Sequence, residues 1–182
     1  FSYRPYRMAG YLDNVRRLVV RGGKSFLMIG GDFSFEDGWY AGTEISEILP
    51  VQLGGAMPWD LAPYRPRLTK EGKKHPIMRI GPPGEDPQAT LRRLPELEGV
   101  NPSIGLARNS QALLRHPGLP GNPPVVALRE FDSGGRSMAV TTDSMWLWRF
   151  ASVGNAGAGR EFDRFWSQSI RWLIKDPELA RV

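Results

Sequence analysis

The spacing of apolar residues changes period several times along this chain, and each change marks an element. Met8, Tyr11, Leu12, Val15, Leu18 and Val19 recur at helical spacing with arginines on the other side, and Gly22-Gly23 follows as a stop. Residues 8–20 therefore read as an amphipathic helix. Phe26–Ile29 is an uninterrupted apolar run of strand length. A strand apolar on both faces is buried on both faces, which predicts a central parallel strand. Gly30 and Gly31 then form a tight elbow. From Thr43, with N-cap chemistry and Glu44 and Glu47 in the first turns, a short helix is expected to turn Ile45, Ile48 and Leu49 inward until Pro50 ends it.

Residues 54–105 are rich in Pro and Gly and read as a long irregular excursion, with a turn of helix around Thr90–Leu94. Regularity returns in three strand candidates at Gln111–Leu114, Val125–Arg129 and Ser137–Thr142. The turn-like GNPP and DSGG separate them, and Asp132-Ser133-Gly134-Gly135 between two apolar runs predicts a hairpin, so one edge of the sheet should be antiparallel. Phe162, Phe165, Trp166, Ile170, Leu173 and Ile174 share one helical face, so residues 160–174 predict a helix packed on the sheet.

Composition adds limits. The 182 residues suit one domain with a core of its own, and no apolar run approaches the ~18 residues of a membrane helix. The opening FSYRPYR carries no signal-peptide pattern and reads, with the closing KDPELARV, as part of a longer protein. There is no cysteine, so disulfides, thiolate metal sites and thiol nucleophiles are excluded together. The formal charge of +5 is spread among Arg16, Arg17, Arg21, Lys24, Lys70, Lys73 and Lys74 rather than clustered with aromatics, which argues against nucleic acid as a partner. His75 and His116 each precede a proline with no acidic neighbour at ligand spacing. A turn role suits them better than a metal, and no cofactor is expected.

In α/β proteins ligands gather beyond the carboxyl ends of the strands, so candidate chemistry falls at Gly30, Gly31, Asp32, Phe33 and Ser34. The segment after the late strand, with Asp143, Ser144, Trp146, Trp148 and Arg149, should reach the same end. If the strand continues, alternation puts Trp146 and Trp148 on one side, as packing or partner anchors or as a rim to a small polar pocket. The loop ASVGNAGAG at 151–159 would cover that pocket. Ser34 lacks a G-x-S-x-G setting, and the glycines match neither G-x-G-x-x-G nor a Walker pattern. They most simply allow a sharp turn and a close approach.

The motifs GGKSFLMIGGDFSF, WYAGTEISEILPV, HPI at 75–77, GRSMAVTTDSMWLWRF and FDRFWSQSIRWL, in that order, resemble the class I glutamine amidotransferase-like domain. Within it they are most similar to a bacterial branch of glutamine amidotransferase-like domains that accompanies von Willebrand factor A-type modules in membrane-anchored proteins. The resemblance implies a flavodoxin-like three-layer α/β sandwich over 1–182, mostly parallel with an antiparallel edge. It also implies that the N-terminal βαβ part of a complete domain is missing here, removed or supplied by another chain. Catalysis does not carry over. The family's cysteine position falls at Gly31 and Asp32, and its histidine position at Asp143 and Ser144. An aspartate is a poor substitute for a thiolate toward an unactivated amide.

The expected function is therefore a non-catalytic binding or interaction module, tethered to a bacterial inner membrane through segments outside this chain. Its partners would be other domains of the same protein or another protein. The alternatives are a hydrolase of a small carbohydrate or amide using Asp32 with Asp143, and a structural spacer.

Overall fold

Helix α1 (Ala9–Val20) ends where the sequence places its stop. It buries Leu12 and Val19 but leaves Tyr11 and Leu18 exposed. The computed structural model describes residues 9–55, 60–150 and 160–181, so Met8 and the loop 151–159 lie outside the described residues. Five strands form the main sheet: β1 (Ser25–Ile29), β4 (Arg67–Leu68), β7 (Ser110–Arg115), β8 (Pro124–Glu130) and β9 (Arg136–Val140), in the order β1-β9-β8-β7-β4. Two small ribbons flank it, β2 (Val51–Gln52) with β6 (Gly105–Leu106), and β3 (Asp60–Tyr64) with β5 (Leu97–Val100).

The sheet is mixed, but its balance is the reverse of the expected one. Among the described residues only β1 and β9 run parallel, while β9–β8, β8–β7 and β7–β4 are antiparallel. Connection length explains this. The short links of residues 116–123 and 131–135 can only return the chain antiparallel, whereas a parallel pair needs a long crossover, and β1 and β9 have one.

Strand β1 is also not central. It holds one edge of the sheet among the described residues, with Ser25 and Ile29 exposed and the rest half-buried. Its run is apolar on both sides because both faces of the sheet are covered, which does not depend on its place in the strand order. Leu27 joins Val126, Leu128, Met138 and Val140 on the face packed by α5 (Arg160–Leu173), through Phe165, Trp172 and Leu173. Phe26 and Met28 join Ala127 and Ala139 on the other face, under Leu12, Val19, Phe35, Ile45 and Ile48. In β7 the pairing register slips between Ala112 and Leu114. This bulge lets the consecutive Leu113 and Leu114 both enter one core.

Three further expectations change. The segment from Thr43 buries Ile45, Ile48 and Leu49 as anticipated, yet it is a chain of turns and not a helix. The hydroxyls of Thr43 and Ser46 donate to the carbonyls three residues back, at 2.7 and 2.6 Å, offering the backbone a local alternative to the helical ladder. The stretch 54–105 is more ordered than its composition suggests. Besides β3, β4 and β5 it holds α2 (Lys70–Lys74), a 3₁₀ turn at Pro76–Met78 and α3 (Pro87–Arg93), each too short for periodicity to reveal. Finally, α5 keeps only part of its predicted face, with Phe162, Phe165, Trp166 and Leu173 against the core. Glu161, Phe165, Ser169, Trp172 and Leu173 are buried, whereas Ile170 and Ile174 are exposed.

Candidate functional site

The elbow is built by the meeting of two strand ends. Ile29 pairs with Val140, and the Gly30 N–H donates to the Val140 carbonyl at 2.7 Å. A Cβ on Gly30 would lie 2.6 Å from the Thr142 backbone nitrogen, so the two chains can touch only because the residue is glycine. From this junction Asp32 and Asp143 each emerge three residues beyond the last paired position of adjacent parallel strands. Both are exposed.

A buried asparagine fixes the turn. Asn101 is fully buried, and its side chain accepts from Gly31 N–H at 2.9 Å while donating to the Gly31 carbonyl at 3.1 Å and to Asp37 Oδ2 at 2.8 Å. Its own N–H donates to the Thr141 carbonyl at 2.7 Å. One residue thus clamps both strand ends. Beyond the clamp the chain coils through Ser34, whose N–H donates to the Gly31 carbonyl at 3.1 Å, to the buried Phe35. Phe33 points away from the core and is 62% exposed.

The second arm departs from the strand geometry expected of it. Strand β9 stops at Val140, and residues 144–150 form a 3₁₀ turn (Ser144–Trp146) running into the short helix α4 (Leu147–Phe150). Two residues apart on a helix face different ways, so the tryptophans do not share a side. Trp148 is 1% exposed and packs edge-on against Phe165, whereas Trp146 is 51% exposed and meets the edge of Phe150, itself 62% exposed. Ser144 is buried as a structural tie. Its Oγ accepts from Glu98 N–H at 2.9 Å and bonds Thr142 Oγ1 at 2.8 Å, joining the end of β9 to β5. Arg149 reaches Asp163 on α5 in an exposed ion pair.

The ten residues named from sequence therefore divide. Gly30, Gly31 and Ser34 shape the elbow, Ser144 and Trp148 belong to the interior, and Asp32, Phe33, Asp143, Trp146 and Arg149 are exposed. Asn101 and Asp37 were not foreseen. The one signal for Asn101 is the Asn-Pro pair it forms with Pro102 inside a Pro/Gly-rich stretch, a pattern with many structural uses.

Both histidines hold turns. His75 Nδ1 accepts from Ile77 N–H at 3.3 Å, and burial, with Arg136 and Arg79 nearby, pushes its pKa down to about 4. His116 Nδ1 accepts from the N–H groups of Gly118 and Leu119, both at 3.1 Å, and burial lowers its pKa too. Among the described residues no group of three or more acidic or histidine side chains is placed to hold a metal.

No family model and no curated protein matches the sequence. Among solved structures, a cytoplasmic protein from Salmonella typhimurium superimposes with a TM-score of 0.64 at 18% identity, over 88% of this chain and 59% of that one. A second cytoplasmic protein, from Salmonella typhimurium LT2, gives 0.62 at 22% identity, over 91% of this chain and 63% of that one. A β-galactosidase from Bacillus circulans sp. alkalophilus, with a TM-score of 0.46 at 15% identity over 76% of this chain and 19% of that one, is too distant to carry an argument. The chain spans about three fifths of the length of the first two proteins. These likenesses are of fold, and the class they share with this chain is mixed α/β. No helix among the described residues is long and apolar enough to cross a membrane.

Proposed function

We propose that this chain is a non-catalytic, glutamine amidotransferase-like binding or interaction module of a larger bacterial protein held at the inner membrane. The carboxyl end of the β1–β9 pair is the face it presents to another domain or to a protein partner. The observation that carries this reading is the exposure there of Phe33, Trp146 and Phe150, bulky aromatics of the kind that anchor interfaces, around an elbow whose cysteine and histidine positions hold Gly31, Asp32, Asp143 and Ser144. The flavodoxin-like arrangement belongs to the same proposal, supported by a sheet covered on both faces and by the order of the motifs.

Hydrogen–deuterium exchange tests it. Residues 31–40 and 143–150 should be more protected in the full-length protein than in this chain alone, and Phe33→Asp with Trp146→Asp should abolish the difference. Equal exchange in both contexts overturns the reading.

A second reading, hydrolysis of a small carbohydrate or amide by Asp32 with Asp143, draws on the exposure of both carboxylates at the ends of adjacent parallel strands. A thermal-shift screen with glutamine, related amides and sugars addresses it. A ligand at about 100 times its dissociation constant adds roughly 2.7 kcal/mol. A shift lost in Asp32→Ala would favour the enzyme, and the interaction module predicts none.

A further inference from the structure

Away from the elbow, the loop 79–87 and one side of α5 enclose a cavity of about 600 Å³, within the range of small-molecule sites. Its walls are largely apolar and stiff. Pro82, Pro83 and Pro87 line it, and the loop is closed by Glu85 N–H donating to the Pro82 carbonyl at 3.1 Å. Its lining includes three cationic residues, Lys73, Arg79 and Arg164, and two acidic ones, Glu85 and Asp86.

The charges are not equivalent. Both carboxylates are committed to holding the loop. Glu85 accepts from Thr90 Oγ1 at 2.5 Å and pairs with Arg93, which keeps its carboxyl below the usual range, and Asp86 Oδ1 accepts from Gln88 N–H at 3.1 Å as the cap of α3. The cations have no such commitments. Among the described residues none of Lys73, Arg79 and Arg164 has a carboxylate within ion-pair distance. Arg164 is instead oriented by one bond from Nη1 to the Ile80 carbonyl at 3.2 Å, leaving the rest of its guanidinium fork unused. Nearby Arg171 shows the contrast, since it is spent on Asp176 at 2.6 Å.

We infer that this cavity binds a phosphorylated small molecule. Its phosphate would lie among Lys73, Arg79 and Arg164, and its less polar body against the prolines. Three cations from three separate elements give the charge and the fork geometry that a phosphate dianion takes, and a wall that is already ordered asks for little rearrangement on binding.

The test is calorimetric titration and thermal shift of this chain with inorganic pyrophosphate and AMP, with adenosine as the uncharged control. Pyrophosphate and AMP should bind, adenosine should not, and affinity should fall as sodium chloride is added. Lys73→Gln and Arg79→Gln, both at exposed positions, should keep the melting temperature of the free protein and each weaken AMP by about tenfold, the size of one lost charged hydrogen bond. Arg164→Gln, which also loses the bond to the Ile80 carbonyl, should weaken AMP likewise. No binding of either anion at ~10 mM, or binding equal in all variants, overturns the inference. Equal binding of AMP and adenosine also overturns it, because the phosphate would then contribute nothing. None of these outcomes bears on the elbow, where no residue is changed.

Discussion

Two residues carry unusual burdens for their size. From a fully buried position Asn101 is the partner of the half-buried Gly31 N–H, Gly31 carbonyl and Asp37. Replacing it with alanine leaves Gly31 N–H and Asp37 without that partner, while the Gly31 carbonyl keeps Ser34 N–H, and each group that stays dry costs about 1–3 kcal/mol. Asn101→Ala is therefore expected to lower stability by at least ~2 kcal/mol in urea unfolding, and a loss under ~0.5 kcal/mol would mean that water replaces the amide. His75 contributes through its neutral form, whose Nδ1 must be unprotonated to accept from Ile77. A histidine pKa lowered from 6.5 to about 4 on folding means the unfolded chain binds the additional proton in that window. Its contribution is complete above pH 6.5 and is lost as the pH falls through 4. His116 acts in the same direction. For the partly exposed His75 ring the loss is about 1–2 kcal/mol once solvent screening is allowed for. Urea midpoints measured at pH 7 and 4.5 should show it, and His75→Asn, which keeps an acceptor, should flatten the difference. An undiminished pH dependence in that variant would assign the effect to other groups.

At the scale of elements, the differences between expectation and structure concern which face a residue occupies. Trp146 and Trp148 share a face only on a strand. On the 3₁₀ turn and α4 that actually follow β9, one is surface and the other core. Trp148→Ala is expected to cost about 3–5 kcal/mol, and Trp146→Ala to fall within ~0.5 kcal/mol of the parent. Equal losses in chemical denaturation would restore the strand. On α5 the aromatic and aliphatic residues spread over more of the circumference than the sheet can cover, so hydrophobicity alone did not choose the buried stripe. It takes in Ser169, fully buried with its hydroxyl unpartnered among the described residues, and leaves out Ile170. Ser169→Ala removes an unsatisfied polar group and improves helix propensity, so it should stabilise by ~0.5–1 kcal/mol. A destabilised variant would show that the hydroxyl has a partner.

For the molecule as a whole, the sheet order ranks local stability. Among the described residues strand β8 is paired on both sides and almost wholly buried, while β1 is paired on one side and half exposed. Native-state hydrogen exchange of this chain should find the slowest amides in β8 and faster ones in β1, and amides in β1 as slow as those in β8 would show that the edge is covered.

Much of this architecture was legible because local periodicity reports what a segment must bury. The helices read at 8–20 and 160–174, the apolar run at 26–29, the three late strands, the hairpin at DSGG and the mixed character of the sheet all follow from spacing and turn chemistry. Thr43–Leu49 shows the limit of that reading. Its apolar positions were foreseen, but side-chain bonds to the backbone turned the predicted helix into turns. Strand order, the balance of parallel and antiparallel pairs, the face α5 buries and the cation cavity were decided by tertiary structure. These depend on which distant segments meet, as Asn101 meets Gly31 across 70 positions, and no local pattern carries that information.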